Sequence, residues 1–127
     1  MRLLLLTVFA NLIIFVNVFA ETSVSRIVTT TDMQNREPVG SATEFKSSVG
    51  RVFCFTEIET DKYPTEVTHI WIHDKNIEAE IKLPVKSPKW RTYSSKAILE
   101  EWTGNWKVEV YSENGELIDS IDFKIHD

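Results

Sequence analysis

The chain has 127 residues, 43% of them hydrophobic and 26% charged, with a formal net charge of −5 at pH 7. This length suits one domain with a modest core. The acidic balance argues against nucleic acid and anionic lipid surfaces as partners, and a single cysteine, Cys54, excludes an internal disulfide framework.

Residues 1–20 read as a secretory signal peptide. Arg2 supplies a charged start, Leu3 to Val18 an apolar run, and Val18-Phe19-Ala20 the small or β-branched residues a signal peptidase reads. The alternative is an uncleaved anchor, since the run is just long enough to span a bilayer. Asn11 and Asn17 inside the run favour removal, and no cysteine follows it to carry a lipoprotein anchor. Cleavage leaves one domain, residues 21–127, with net charge −6, because Arg2 is the only charge in the leader. The expected location is the periplasm or the extracellular space.

Seven segments with period-two patterning follow, separated by turn signals. Val24 to Asp32 predicts a first strand. The stretch "NREPVGSATEFKSS" reads as a long polar link, with Pro38 and Gly40 as breakers. Gly50 to Thr60 predicts a central strand, with Cys54 as a buried small hydrophobe. Thr65 to His73 is the third strand, and Asp74 to Asn76 a tight turn. Ile77 to Val85 places Ile77, Ala79, Ile81 and Leu83 on one face, with Glu78, Glu80 and Lys82 on the other. Lys89 to Ser95 is the fifth strand, and "ILEEWTG" a corner. Asn105 to Ser112 and Glu116 to His126 form a hairpin around Glu113-Asn114-Gly115, where Asn-Gly tolerates positive φ. No segment holds a helical period over eleven or more residues. The pattern predicts an all-β fold, an antiparallel immunoglobulin-like β-sandwich of about seven strands.

Several strings resemble a bacterial domain of unknown function, number twenty-nine-fourteen in that series. They are Arg36-Glu37-Pro38, Phe55-Thr56, His69 with Trp71, Trp90-Arg91 with Ser94-Ser95-Lys96, and Gly104, Trp106, Val108, Gly115 and Phe123. The resemblance covers about 90 residues. One departure is Lys75-Asn76, where the family carries Gly; Asn also tolerates the turn. The resemblance implies an exported or envelope-associated sandwich domain and brings no established activity.

Three chemistries compete for the signature residues. Ser94-Ser95-Lys96 suggests a Ser–Lys nucleophile, but Ser-x-x-Lys nucleophiles need a helical turn, and no Gly-rich oxyanion loop accompanies it. The serines and Lys96 are better placed to satisfy backbone groups where a strand ends. His69 and His73 share a strand face about 13 Å apart, too far to ligate one zinc; His69 reads as half-buried beside Trp71. No catalytic residue, metal ligand or cofactor is assigned, and the chain is not read as an enzyme. The third chemistry is binding by aromatics. Trp71 and Trp106 alternate with core residues, whereas Trp90 begins the Trp-Arg-x-x-Ser-Ser-Lys string next to Arg91 and Trp102 lies in a loop before Gly104. The candidate binding residues are Trp90, Arg91, Ser95, Lys96 and Trp102. The leading expectation is a module binding an envelope or cell-surface protein, with strand addition at an open edge as the mode. The alternative is a glycan, polysaccharide or peptidoglycan, stacked on Trp90 and Trp102. Nucleic acid is not an expected partner, nor is membrane beyond an uncleaved leader.

Overall fold

All seven patterned segments become strands. A computed structural model describes residues 22–127, as β1 (Thr22–Thr30), β2 (Met33–Gln34), β3 (Glu37–Pro38), β4 (Glu44–Lys46), β5 (Arg51–Thr60), β6 (Thr65–His73), β7 (Asn76–Val85), β8 (Lys89–Ala97), β9 (Gly104–Ser112) and β10 (Leu117–His126). The expected signal peptide, residues 1–20, lies outside the described residues.

Two sheets pack face to face. The short sheet has the order β1-β5-β8 and the long sheet β4-β10-β9-β6-β7, while β2 and β3 form a separate hairpin. Pairing in both is antiparallel except between β4 and β10, which run parallel. This is the expected all-β sandwich. In immunoglobulin terms β1, β5 and β8 hold places A, B and E, and β6, β9 and β10 hold C, F and G. β7 sits beyond place C, as in variable-type domains, and no strand among the described residues fills place D beside β8.

The polar link is more structured than the sequence reading has it. Asn35 and Arg36 both take positive φ, 51° and 62°, and close β2 onto β3 as a two-residue turn. β4 follows, three residues long with only Phe45 buried, and then one 3-10 turn, Ser47–Val49. The sandwich therefore has eight strands rather than seven. Neither an arginine in a left-handed turn nor a three-residue strand carries a periodic signal.

Alternation sets the core. Val52, Cys54, Thr56 and Ile58 of β5 face Val67, His69 and Trp71 of β6 and Trp106, Val108 and Val110 of β9, all essentially inaccessible. Trp71 occupies the strand-C place where immunoglobulin folds bury a tryptophan. Trp106 donates its indole N–H to the carbonyl of Trp102, four residues back, at 3.0 Å. It thus makes the bond that a tyrosine hydroxyl makes at the E–F corner of such domains. Cys54 is buried as expected, and burial pushes its thiol pKa up.

Three local expectations are corrected. A bulge between Trp71 and Ile72 pairs Ile72 with Ile77, so Ile77 leaves the inward row of Ala79, Ile81 and Leu83 and is 66% exposed. In the preceding turn the left-handed residue is Asp74, at φ 55°, not Asn76. In the last hairpin it is Gly115 alone, at φ 80°.

Candidate functional site: the β8 edge and its two tryptophan ends

Strand β8 carries most of the signature, and its alternation divides the residues. Even positions face the core and odd positions face out. Ser94 is one of the even set. Its Oγ lies 2.6 Å from His69 Nδ1 and 3.0 Å from Trp71 Nε1. The other ring nitrogen of His69 lies 3.1 Å from Thr56 Oγ1, which is 3.4 Å from the Thr92 carbonyl. An indole N–H only donates and a carbonyl only accepts. One assignment satisfies every group: Trp71 donates to Ser94, Ser94 to His69 Nδ1, His69 Nε2–H to Thr56, and Thr56 to the Thr92 carbonyl. His69 is then the neutral Nε2–H tautomer, and burial holds its pKa down at about 4. It is fully rather than half buried. The Ser94–His69 pair has the look of a nucleophile and base, yet it is closed to solvent and joins β6 to β5 and β8 across the sandwich. Ser94 thus serves two side chains, where the sequence reading has it satisfying backbone.

Trp90 is also an even residue and packs against Ile58, Val67, Val85 and Val110. The Arg36 guanidinium sits 4.7 Å over its ring and donates to the Arg91 carbonyl at 2.8 Å. Neighbouring Glu37 accepts from Arg91 at 2.8 Å and from Arg26 at 3.2 and 3.3 Å. The bonds from Arg26, then Arg91, hold the Glu37 carboxyl below its ordinary range. The β2–β3 hairpin therefore bridges β1 and β8 across the outer face of β5. Beneath it Phe55 faces outward yet is fully buried, with Arg26 4.9 Å over its ring.

At the other end of β8, Lys96 lies 4.9 Å over the ring of Trp102. Trp102 packs on the larger core cluster and lies near Trp106, ring centroids 6.1 Å apart. His73 stacks on Trp106 at 4.6 Å and donates from Nε2 to the Thr103 carbonyl at 2.7 Å. Six residues of strand, about 20 Å, separate Trp90 from Lys96. The five candidate residues thus do not converge. Trp90 and Trp102 close opposite ends of the sandwich, each half-buried with a cation on one face. Arg91 and Ser95 point outward on the strand between them. Ser95 accepts from Arg51 at 2.7 Å.

Sequence reasoning missed the backbone of β8 itself. The carbonyl of Pro88 and the N–H of Ile98 bond to Thr60 and Gly50 on the β5 side. In an antiparallel pair both polar groups of one residue point the same way, so the even residues bond β5 and the odd residues face the open side. Side chains cover three odd carbonyls, Ser87 that of Lys89, Arg36 that of Arg91 and Lys96 that of Ala97. Tyr93 and Ser95 lie between, and among the described residues no strand pairs with β8 on that side. Tyr93 is 41% exposed and leans on Phe53 at 6.1 Å. The other three edges carry ordinary protection. β1 has a bulge between Val24 and Arg26, β4 has three residues, and β7 has a bulge and Pro84. β8 pairs with β5 in unbroken register from Lys89 to Ala97 and holds no proline.

Comparison with known proteins places the pattern. Residues 64–125 match the family model "Protein of unknown function (DUF2914)". That segment, β6 through most of β10, bears out the family resemblance and contains the His-x-Trp and Trp-Arg-x-x-Ser-Ser-Lys strings. Arg36-Glu37-Pro38 lies before it, joined to it through Trp90 and Arg91. No curated protein matches the chain. Among solved structures, the chain is similar to a β-glucosidase from Listeria innocua in complex with glucose, at 10% identity and TM-score 0.46, over 84% of this chain and 16% of the enzyme. A mutant of that enzyme in complex with laminaribiose gives 9% identity and TM-score 0.46, over 86% and 16%. The chain spans only about a sixth of the enzyme's length.

Proposed function

We propose that the domain is an exported, non-catalytic binding module that takes up an extended segment of an envelope or cell-surface protein along the free edge of β8. The observation that carries this reading is the contrast among edges: three are bulged, short or proline-marked, and β8 is long and regular. Backbone pairing supplies affinity in strand addition, and pockets for alternate side chains supply specificity. Exposed Tyr93 beside Phe53 offers apolar contact on the outer face. Export rests on the leader pattern of residues 1–20. The glycan reading ranks second, because each half-buried ring that was to form a stacking platform has a cation over it and the two stand at opposite ends.

Ser95→Pro tests the reading. Its N–H faces the open side, where proline is tolerated in edge strands, so the β5–β8 ladder survives while an added strand is blocked. The expected outcome is capture of a protein from envelope extract by the wild-type domain, loss of that capture in the folded variant, and silence on a glycan array. Unchanged capture by Ser95→Pro, or glycan binding in place of protein, contradicts it.

A further inference from the structure

The open edge has a second unpartnered feature beside it. Val67, His69 and Trp71 of β6 and Trp106, Val108 and Val110 of β9 are fully buried, but in the inward row of β7 only Val85 is, and Ala79, Ile81 and Leu83 are half-covered. The reason is the count of strands. The long sheet continues to β7, while the short sheet ends at β8 with place D empty. A strand laid beside β8 would stand over β7, with every second side chain directed onto Ala79, Ile81 and Leu83. Charge is also uneven here. Of the described arginines, Arg26 and Arg91 pair with glutamate, whereas Arg36 and Arg51 have no carboxylate within 4.0 Å, and both bond to β8. Lys96, likewise without a carboxylate, lies in the strand. β8 itself holds Lys89, Arg91 and Lys96 and no acidic residue, so a second copy of β8 would bring more cations and no carboxylate to this edge.

We propose that the occupant of the β8 edge is an acidic extended strand with apolar residues at alternate positions, which completes the short sheet as its fourth strand and covers the inner row of β7. This rests on the edge-binding reading and specifies its ligand. The apolar row replaces water over Ile81 and Leu83, the backbone meets the polar groups of Tyr93 and Ser95, and the outward carboxylates meet Arg36 and Arg51.

Short synthetic peptides test it on the intact domain. One alternates valine and glutamate, one alternates valine and lysine, and one has the first composition in two blocks. The expected result is binding of the valine–glutamate peptide, with slowed amide exchange at Tyr93 and Ser95. The lysine and block peptides bind at least about tenfold more weakly, since several cross-strand pairs are lost or reversed. Ser95→Pro abolishes binding, and Ile81→Ser weakens it by a similar factor in a variant whose melting curve remains cooperative. Equal affinity for the glutamate and lysine peptides, or an unchanged affinity in Ile81→Ser, overturns the proposed occupant while leaving edge binding in place. No protection at Tyr93 and Ser95 by any peptide overturns both. A wild-type dimer that dissociates in Ser95→Pro assigns the edge to a second copy and also overturns the proposal.

Discussion

At Ser94 one hydroxyl satisfies two buried side chains, and its loss has a calculable cost. Ser94→Ala leaves the Trp71 indole N–H and His69 Nδ1 without partners, at about 1–3 kcal/mol each. Ser95→Ala, one position along and facing out, changes stability by less than about 0.5 kcal/mol. Urea unfolding of the two variants reads the difference; equal effects would break the assigned chain of donors. His69 adds a pH dependence. Its pKa is 6.5 unfolded and about 4 folded, so the folded state disfavours its proton. The contribution is fully present above about pH 6.5 and is lost as pH falls through that value toward 4, roughly 3 kcal/mol in all. Glu37, whose carboxyl is also depressed but exposed, acts in the same direction, so the comparison is with His69→Gln. Wild type loses stability on acidification more steeply than this variant; parallel curves would contradict the buried neutral imidazole. His69, Trp71 and Ser94 were legible as signature residues. Their mutual bonds were not, because strand periodicity reports which face a residue takes and not which strand lies across the core.

Strand alternation is a strong signal until a bulge interrupts it. Seven elements and nearly all inward rows followed from period two, and the exception is Ile77, which the bulge turns outward. Ile77→Thr therefore changes stability by less than about 0.5 kcal/mol, whereas Ile81→Thr, on the half-covered inward row, destabilises by about 1–2 kcal/mol. A thermal melt of each checks this, and a larger loss at Ile77 would restore the unbulged register. The β2–β3 hairpin was hidden for a related reason. Its turn residues are Asn and Arg rather than Asn-Gly, and its role is side-chain contact, Arg36 on Trp90 and Glu37 between Arg26 and Arg91. The sequence shows those charges as a polar link; only the fold brings Arg36 and Arg91, fifty-five positions apart, together.

Sandwich architecture was readable from the spacing of strands and turns, and the family pattern from short strings along them. The absent D strand was not readable, since a missing neighbour leaves no mark on the residues that lack it. Among the described residues that absence makes β8 an edge and leaves the inner row of β7 half-covered, the two features on which the proposed strand addition rests. Amide hydrogen exchange along β8 in the free domain tests this most directly. An open edge gives alternation: Thr92 and Ser94, bonded to β5, exchange slowly, and Tyr93 and Ser95, facing the open side, exchange at least about tenfold faster, because their N–H groups need no opening of the ladder. Uniform slow exchange across Thr92 to Ser95 in the isolated monomer would mean that the edge is already covered, and would contradict it.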